Sequence, residues 1–166
     1  MSMGKILAYS GIMQDKEVSW MPAYGPEMRG GTANVTVVIS DTRISSPIAH
    51  QYDSAIILNQ QSMDKFEDRV KPGGVLIYDT NGITRHPVRK DIRIYTIEAA
   101  AEAARLGNSK IFNTLILGGY LRVRPIVKLE NVFAGIKKSL PERAWKSLPD
   151  NEAAVRRGME IIREVN

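Results

Sequence analysis

Residues 53–78 read DSAIILNQQSMDKFEDRVKPGGVLIY, and the succession of patterns in this stretch decides the fold. Asp53 to Leu58 is an apolar run of strand length. From about Ser62 to Val70 the chain turns polar with helix spacing, and Lys71-Pro72-Gly73-Gly74 then stops the helix and returns the chain to a second apolar strand, Val75 to Tyr78. Strands alternating with helices imply a layered α/β sheet, mostly parallel.

The same reading extends in both directions. Gly4 to Ile12 has helix spacing, with Ile6, Leu7, Ser10 and Gly11 on a small and apolar face. Val18 to Met21 reads as a short buried strand, and Ala33 to Ser40 as a Val/Ile/Thr-rich strand ending at Asp41-Thr42. Thr80 to Lys90 is the weakest-structured part, because Asn81-Gly82 signals a turn and His86-Pro87 blocks regular pairing. Asp91 to Ile97 alternates as a strand near a sheet edge does, and Glu98 to Leu106 is a helix closed by Gly107-Asn108.

Two more helices are predicted at Ser109 to Val123 and Leu129 to Leu140. Asp150 is expected to cap a last one, whose Val155, Met159 and Ile162 face inward. The helix Ser109 to Val123 is apolar nearly all round, so it is either buried or covered by another subunit. The final third of the chain therefore reads as helical.

With 166 residues, 43% hydrophobic and 25% charged, the chain suits one globular domain spanning 1–166. Its formal charge of +5 is spread among interleaved Lys, Arg, Asp and Glu, which fits a partner bearing carboxylates or phosphates and gives no basic stripe for nucleic acid. There is no cysteine, and hence no thiolate for zinc or an iron–sulfur cluster within these residues. No apolar run approaches the roughly 20 residues that span a bilayer, and the N-terminus lacks a signal-peptide pattern. The expected address is cytoplasmic, with no membrane partner.

Chemistry-bearing residues concentrate in Tyr24-Gly25-Pro26-Glu27-Met28-Arg29-Gly30-Gly31-Thr32-Ala33-Asn34. Gly25-Pro26 fixes a bend, and Gly30-Gly31 leaves backbone N–H groups open to a partner or an anion. Arg29 with Gly30, Gly31 and Thr32 either cradles a phosphate or carboxylate or docks on another subunit. Glu27 is either a general acid or base or half of an internal ion pair. Asn59, Gln60 and Gln61 follow a strand at its carboxyl end, where open α/β sheets hold ligands; the competing reading is a helix N-cap at Ser62 with polar neighbours. His50 and His86 have no partner at metal-ligand spacing and read as solvated loop residues. No nucleotide-binding glycine motif, catalytic triad or zinc-protease motif is present.

YGPEMRGGTAN closely resembles the signature of the gamma subunits of 2-oxoacid:ferredoxin oxidoreductases. Further landmarks fall in the same order: Ser46-Pro47-Ile48, Tyr52 to Gln60, Asp64-Lys65-Phe66, Lys71 to Tyr78 and Leu106-Gly107-Asn108. The PEMRGGTAN form is more similar to the 2-oxoglutarate and branched-chain members than to the pyruvate ones. One departure stands out. Family members begin with a strand and a GxGGQG-type turn, whereas this sequence opens Met1-Ser2-Met3-Gly4-Lys5-Ile6, already inside the following helix. The expected fold is thus a Rossmann-like three-layer α/β domain with that first strand and glycine-rich turn missing.

The resemblance implies a gamma subunit, inactive when isolated, in a complex that oxidatively decarboxylates a 2-oxoacid, 2-oxoglutarate for preference, to an acyl-CoA. Thiamine diphosphate and the iron–sulfur cluster would reside on alpha, beta and ferredoxin-like delta partners. Ferredoxin would accept the electrons, and coenzyme A would be held nearby. Tyr24 to Thr32, Asn59 and Gln60 are the candidate interface or binding residues. The alternative is a free-standing Rossmann-like module that binds a phosphorylated small molecule.

Overall fold

The computed structural model describes residues 1–25 and 33–165. In chain order the elements are α1 (Ser2–Met13), β1 (Glu17–Tyr24), β2 (Ala33–Ser40), β3 (Tyr52–Ile57), α2 (Gln60–Phe66), β4 (Val70–Asp79), β5 (Arg93–Ile97), α3 (Ala99–Arg105), α4 (Phe112–Val123), α5 (Leu129–Ser139), α6 (Leu148–Ile161) and β6 (Arg163–Val165). Short 3-10 turns at Glu67–Arg69, Ser109–Ile111 and Glu142–Ser147 join some of them. They form two compact units, Met1–Ala49 with Pro125–Glu152, and His50–Arg124 with Ala153–Asn166.

In the first unit β1 and β2 pair antiparallel from Glu17↔Ser40 to Tyr24↔Ala33. Their inner face meets α1 where the helix carries only hydrogen: a methyl group at Gly4 would come within 2.7 Å of Val35, and one at Gly11 within 2.8 Å of Val18. The Gln14 side-chain oxygen accepts from the Lys128 amide (2.7 Å) and from Asn131 Nδ2 (3.2 Å), tying the end of α1 to the start of α5. An ion pair between Lys16 and Asp41 closes the open end of the hairpin. The expected buried strand Val18 to Met21 is corrected: β1 is twice that long, and none of its residues is buried. A two-stranded ribbon has neighbours on one face only, so an apolar run there stays half-covered.

The second unit holds a four-stranded sheet in the order β3-β4-β5-β6, with β3, β4 and β5 parallel and β6 antiparallel to β5. Strand alternation divides its side chains between two helical layers. Ala55, Ile57, Leu76 and Tyr78 face Met63 of α2, with Phe66, Ile94 and Val165 alongside. On the opposite face Ile97 meets α4 at Gly119. The unit is helix, sheet, helix, the three-layer α/β arrangement that the alternation of elements predicts. Residues Thr114 to Leu121 of α4 are buried without a break, which resolves the two readings of that helix in favour of burial within this chain.

α4 and α6 cross at backbone contact. A methyl group at Gly118 would lie 1.9 Å from the Val155 carbonyl oxygen, and one at Gly158 would lie 1.8 Å from that of Leu115. Only glycine permits this approach from each side.

Three expectations need revision. Lys71-Pro72-Gly73-Gly74 lies inside β4, as a bulge between the pairs Tyr52↔Val70 and Ser54↔Val75. Gly73, at φ +74, donates to the Asp91 carbonyl (2.7 Å), and Lys71 pairs with Asp53 across the irregularity (2.8 Å). Asp150 falls within the first turn of α6, since the preceding 3-10 turn already leads into the helix at Leu148. The helical last third also ends in a strand, β6, at the edge of the sheet.

Candidate functional site

At the carboxyl end of the parallel strands, polar side chains hold the connecting segments in place. Asn59 follows β3 and is the N-cap of α2, its Oδ1 accepting from the Ser62 amide (2.8 Å). The cap is therefore Asn59, with Ser62 as the donor. Gln60 Oε1 accepts from the amides of Thr84 (2.9 Å) and Arg85 (2.8 Å) and from Thr84 Oγ1 (3.2 Å), while Nε2 donates to Asp64 (2.8 Å). These bonds use an amide's accepting oxygen and donating nitrogen at once. Gln60 thus fastens the segment that follows β4.

Two buried carboxylates complete the fastening, and neither stands out in the sequence as a site. Asp79, at the end of β4, accepts from the amides of Asn81 (2.8 Å) and Ala100 (3.0 Å), so it shapes the turn and caps the first turn of α3 together. Glu67 accepts from the amides of Val88 (2.5 Å) and Arg89 (3.0 Å) and from Arg85 Nη2 (3.0 Å). Residues 80–91, irregular as expected, are nevertheless pinned along their length. An acidic residue directly after the apolar run Val75 to Tyr78 was the one available sign of Asp79. Glu67 gave none, because the amides it binds lie more than twenty residues away in sequence.

Farther along, Arg105 and Arg157 both hydrogen-bond Glu102, at 2.6 and 2.7 Å, and hold its carboxyl at about 2, well below the usual carboxylate range. His50 is exposed. His86 is also exposed, with Nδ1 3.3 Å from the Tyr78 hydroxyl. Among the described residues no three His, Asp or Glu side chains are grouped to hold a metal ion, and no helix is long and apolar enough to cross a membrane.

The remaining candidates belong to the hairpin of the first unit. Tyr24 ends β1, pairs with Ala33 and is 72% exposed, and Gly25 follows it. Pro26, Glu27, Met28, Arg29, Gly30, Gly31 and Thr32 lie outside the described residues. Asn59 and Gln60 are brought together in the second unit, and Tyr24 and Gly25 in the first.

A family model described as pyruvate ferredoxin/flavodoxin oxidoreductase matches residues 1–161. The chain belongs to this family. Among curated relatives it is 32% identical over 167 residues to the 2-oxoglutarate synthase subunit KorC of Methanocaldococcus jannaschii, an alignment covering 98% of this chain and 87% of that one. It is 39% identical over 118 residues to the ketoisovalerate oxidoreductase subunit VorA of Methanothermobacter thermautotrophicus, covering 71% of this chain but only 24% of the relative. The chain thus spans about a quarter of the VorA proteins it matches.

Among solved structures, the gamma subunit of a keto/oxoacid ferredoxin oxidoreductase from Geobacter sulfurreducens superposes with a TM-score of 0.81 at 24% identity, over 96% of this chain and 87% of that one. A 2-oxoglutarate:ferredoxin oxidoreductase from Magnetococcus marinus, with 2-oxoglutarate, coenzyme A and succinyl-CoA bound, gives 0.84 at 18% identity, over 96% of this chain and 28% of that one. Both likenesses establish the fold. Family membership agrees with the resemblance carried by YGPEMRGGTAN.

Proposed function

We propose that this chain is the gamma subunit of a 2-oxoacid:ferredoxin oxidoreductase, acting in the cytoplasm as one functional domain within a complex of alpha, beta and ferredoxin-like delta chains. The observation that carries the reading is the two-way coverage with the KorC subunit, nearly end to end in both chains. The family match across both compact units supports the single functional domain. The reaction is oxidative decarboxylation of the 2-oxoacid, with the acyl group passed to coenzyme A and the electrons to ferredoxin.

The residues of this chain do not suit an iron–sulfur cluster, since they include no thiolate. The cluster and thiamine diphosphate belong to partner chains, and coenzyme A is held near this one. The chain's own contribution is to complete the assembly. Tyr24 to Thr32 is its docking surface, supported by the exposure of Tyr24 where the hairpin hands over to that stretch. Asn59 and Gln60 shape the neighbouring strand ends and contact ligand or partner there.

2-Oxoglutarate is the proposed substrate, on the strength of the KorC coverage. The higher identity to VorA favours a branched-chain 2-oxoacid as the second reading. Co-purifying the chain with its partners and comparing turnover of 2-oxoglutarate, 2-oxoisovalerate and pyruvate decides between them. Arg29→Ala leaves the isolated chain folded but weakens assembly by roughly 1–3 kcal/mol and lowers oxoacid-dependent ferredoxin reduction. If the variant assembles and turns over like the parent, the stretch is not the interface, and a free-standing module binding a phosphorylated small molecule becomes the better reading.

A further inference from the structure

A cavity of about 720 Å³ opens in the second unit between β5, the last turn of α4 and the end of α6. Three guanidinium groups line it, those of Arg93, Arg122 and Arg163, beside Tyr95 and the apolar Met159 and Ile162. Arg93 begins β5, whereas Asp79 pairs with its last residue, Ile97. At about 3.3 Å per residue the cavity lies roughly 13 Å from the carboxyl-end loops, at the opposite end of the strand.

The charge at this cavity is unbalanced. Its one lining carboxylate, Glu160, is paired with Arg157 (2.9 Å). Glu164 pairs across the ladder with Tyr95. No described carboxylate lies within ion-pair distance of Arg93, Arg122 or Arg163. Arg93, Arg122 and Arg163 therefore stand at the cavity without a carboxylate partner among the described residues.

Helix capping explains part of this excess. Arg163 Nη1 donates to the carbonyls of Glu160 (2.6 Å) and Ile162 (3.0 Å), and Arg122 stands in the last turn of α4, where a cation is favoured. Arg93 serves no helix: its guanidinium lies 5.9 Å from the Tyr95 ring centre, and Nη1 is 3.4 Å from the Tyr95 hydroxyl. Arg163 keeps two further nitrogens.

We propose that this cavity binds a phosphate-bearing small molecule, its phosphate held by Arg93, Arg122 and Arg163 and its organic part resting on Met159 and Ile162. Guanidinium forks match phosphate oxygens in pairs, and a concavity lined mostly by charged and polar side chains, with Val123, Met159 and Ile162 as its apolar part, suits a small anionic ligand. The inference is independent of the oxidoreductase reading and of the stretch around Arg29.

The test is calorimetric titration of the full 166-residue chain with pyrophosphate and with ADP. One-to-one saturable binding is expected, weakened at least about tenfold in Arg93→Gln and in Arg122→Gln and unchanged in Arg43→Gln, an exposed arginine of the other unit. Sulfate at equal ionic strength should bind at least about tenfold more weakly than pyrophosphate. A second arm needs no variant: pyrophosphate should protect Arg93 and Arg122 from phenylglyoxal, read by peptide mass. Absence of saturable binding, sulfate binding as well as pyrophosphate, equal binding by folded variants, or equal modification with and without ligand would each overturn the assignment.

Discussion

Replacing Gly118 with alanine tests whether the α4–α6 crossing is a backbone contact. The added methyl carbon would sit 1.9 Å from the Val155 carbonyl oxygen and 2.7 Å from its carbon, where carbon and oxygen ordinarily stand about 3.3 Å apart. No side chain can rotate to relieve this, so the helices must separate by about 1.4 Å. That opens a gap along a seam where Leu115, Leu117 and Val155 are wholly buried. Overpacking ordinarily costs about 1–3 kcal/mol and more where backbones collide, while alanine returns about 1 kcal/mol of helix propensity, leaving a net loss of about 3 kcal/mol. For a chain of this length the melting temperature should fall by roughly 6–12 °C. Gly119→Ala is the internal control, since the tight contacts of its methyl would be with the side-chain tips of Ile97 (2.8 Å) and Ile162 (3.1 Å), which can shift for less than about 1 kcal/mol, while the Gly158 carbonyl oxygen stands at an ordinary 3.5 Å. Thermal and urea unfolding followed by circular dichroism measures both variants. If Gly118→Ala is as stable as Gly119→Ala, the close crossing is not a feature of the folded chain.

Glu102 titrates at about 2 when folded, below its ordinary 4.5, so its ion pairs contribute fully above that ordinary value and are lost as the pH falls from about 4.5 toward 2. Glu102→Gln should be less stable than the parent near neutrality and flatter across that acid window; parallel stability–pH curves would refute the assignment. Glu67→Ala should cost about 3 kcal/mol and accelerate hydrogen exchange at the Val88 and Arg89 amides, while exchange in α4 changes only with global stability. Finally, the isolated chain should carry no stoichiometric iron or zinc by elemental analysis, because it offers no thiolate and its histidines stand apart.

Local pattern carried the fold a long way in this chain. The apolar runs at Asp53 to Leu58 and Val75 to Tyr78, the alternation at Asp91 to Ile97 and the Ala-rich helix before Gly107 each depend on a period visible within a short window. What escaped depends on distant partners. Pro72 and the two glycines after it look the same whether they end a helix or bulge a strand, and only the pairing with Tyr52 and Ser54 shows which. β6 is three residues long, too short for any period to show. The apolar run of β1 reads as core until the strand proves to belong to a two-stranded ribbon. Of the candidate residues, Asn59 and Gln60 were marked by their place after a strand, although their bonds to Ser62, Thr84 and Arg85 appear only in three dimensions. The close approach of α4 and α6 escaped as well, because Gly118 and its other half, Gly158, lie forty residues apart.

The last rung of the β1–β2 ladder sets a boundary condition for recognition. Tyr24 and Ala33 are paired, so their Cα atoms, which flank the eight residues from Gly25 to Thr32, stand about 4.5–5.5 Å apart. A free segment of eight residues would lose about 2 kcal/mol, plus a constant, on having its ends brought together. Here folding of the hairpin has already met that cost, before any partner arrives. In the docking proposed for this stretch, binding free energy is spared the closure term, and loosening the ladder, for instance at Trp20↔Val37 or Pro22↔Val35, should weaken association without altering the stretch itself.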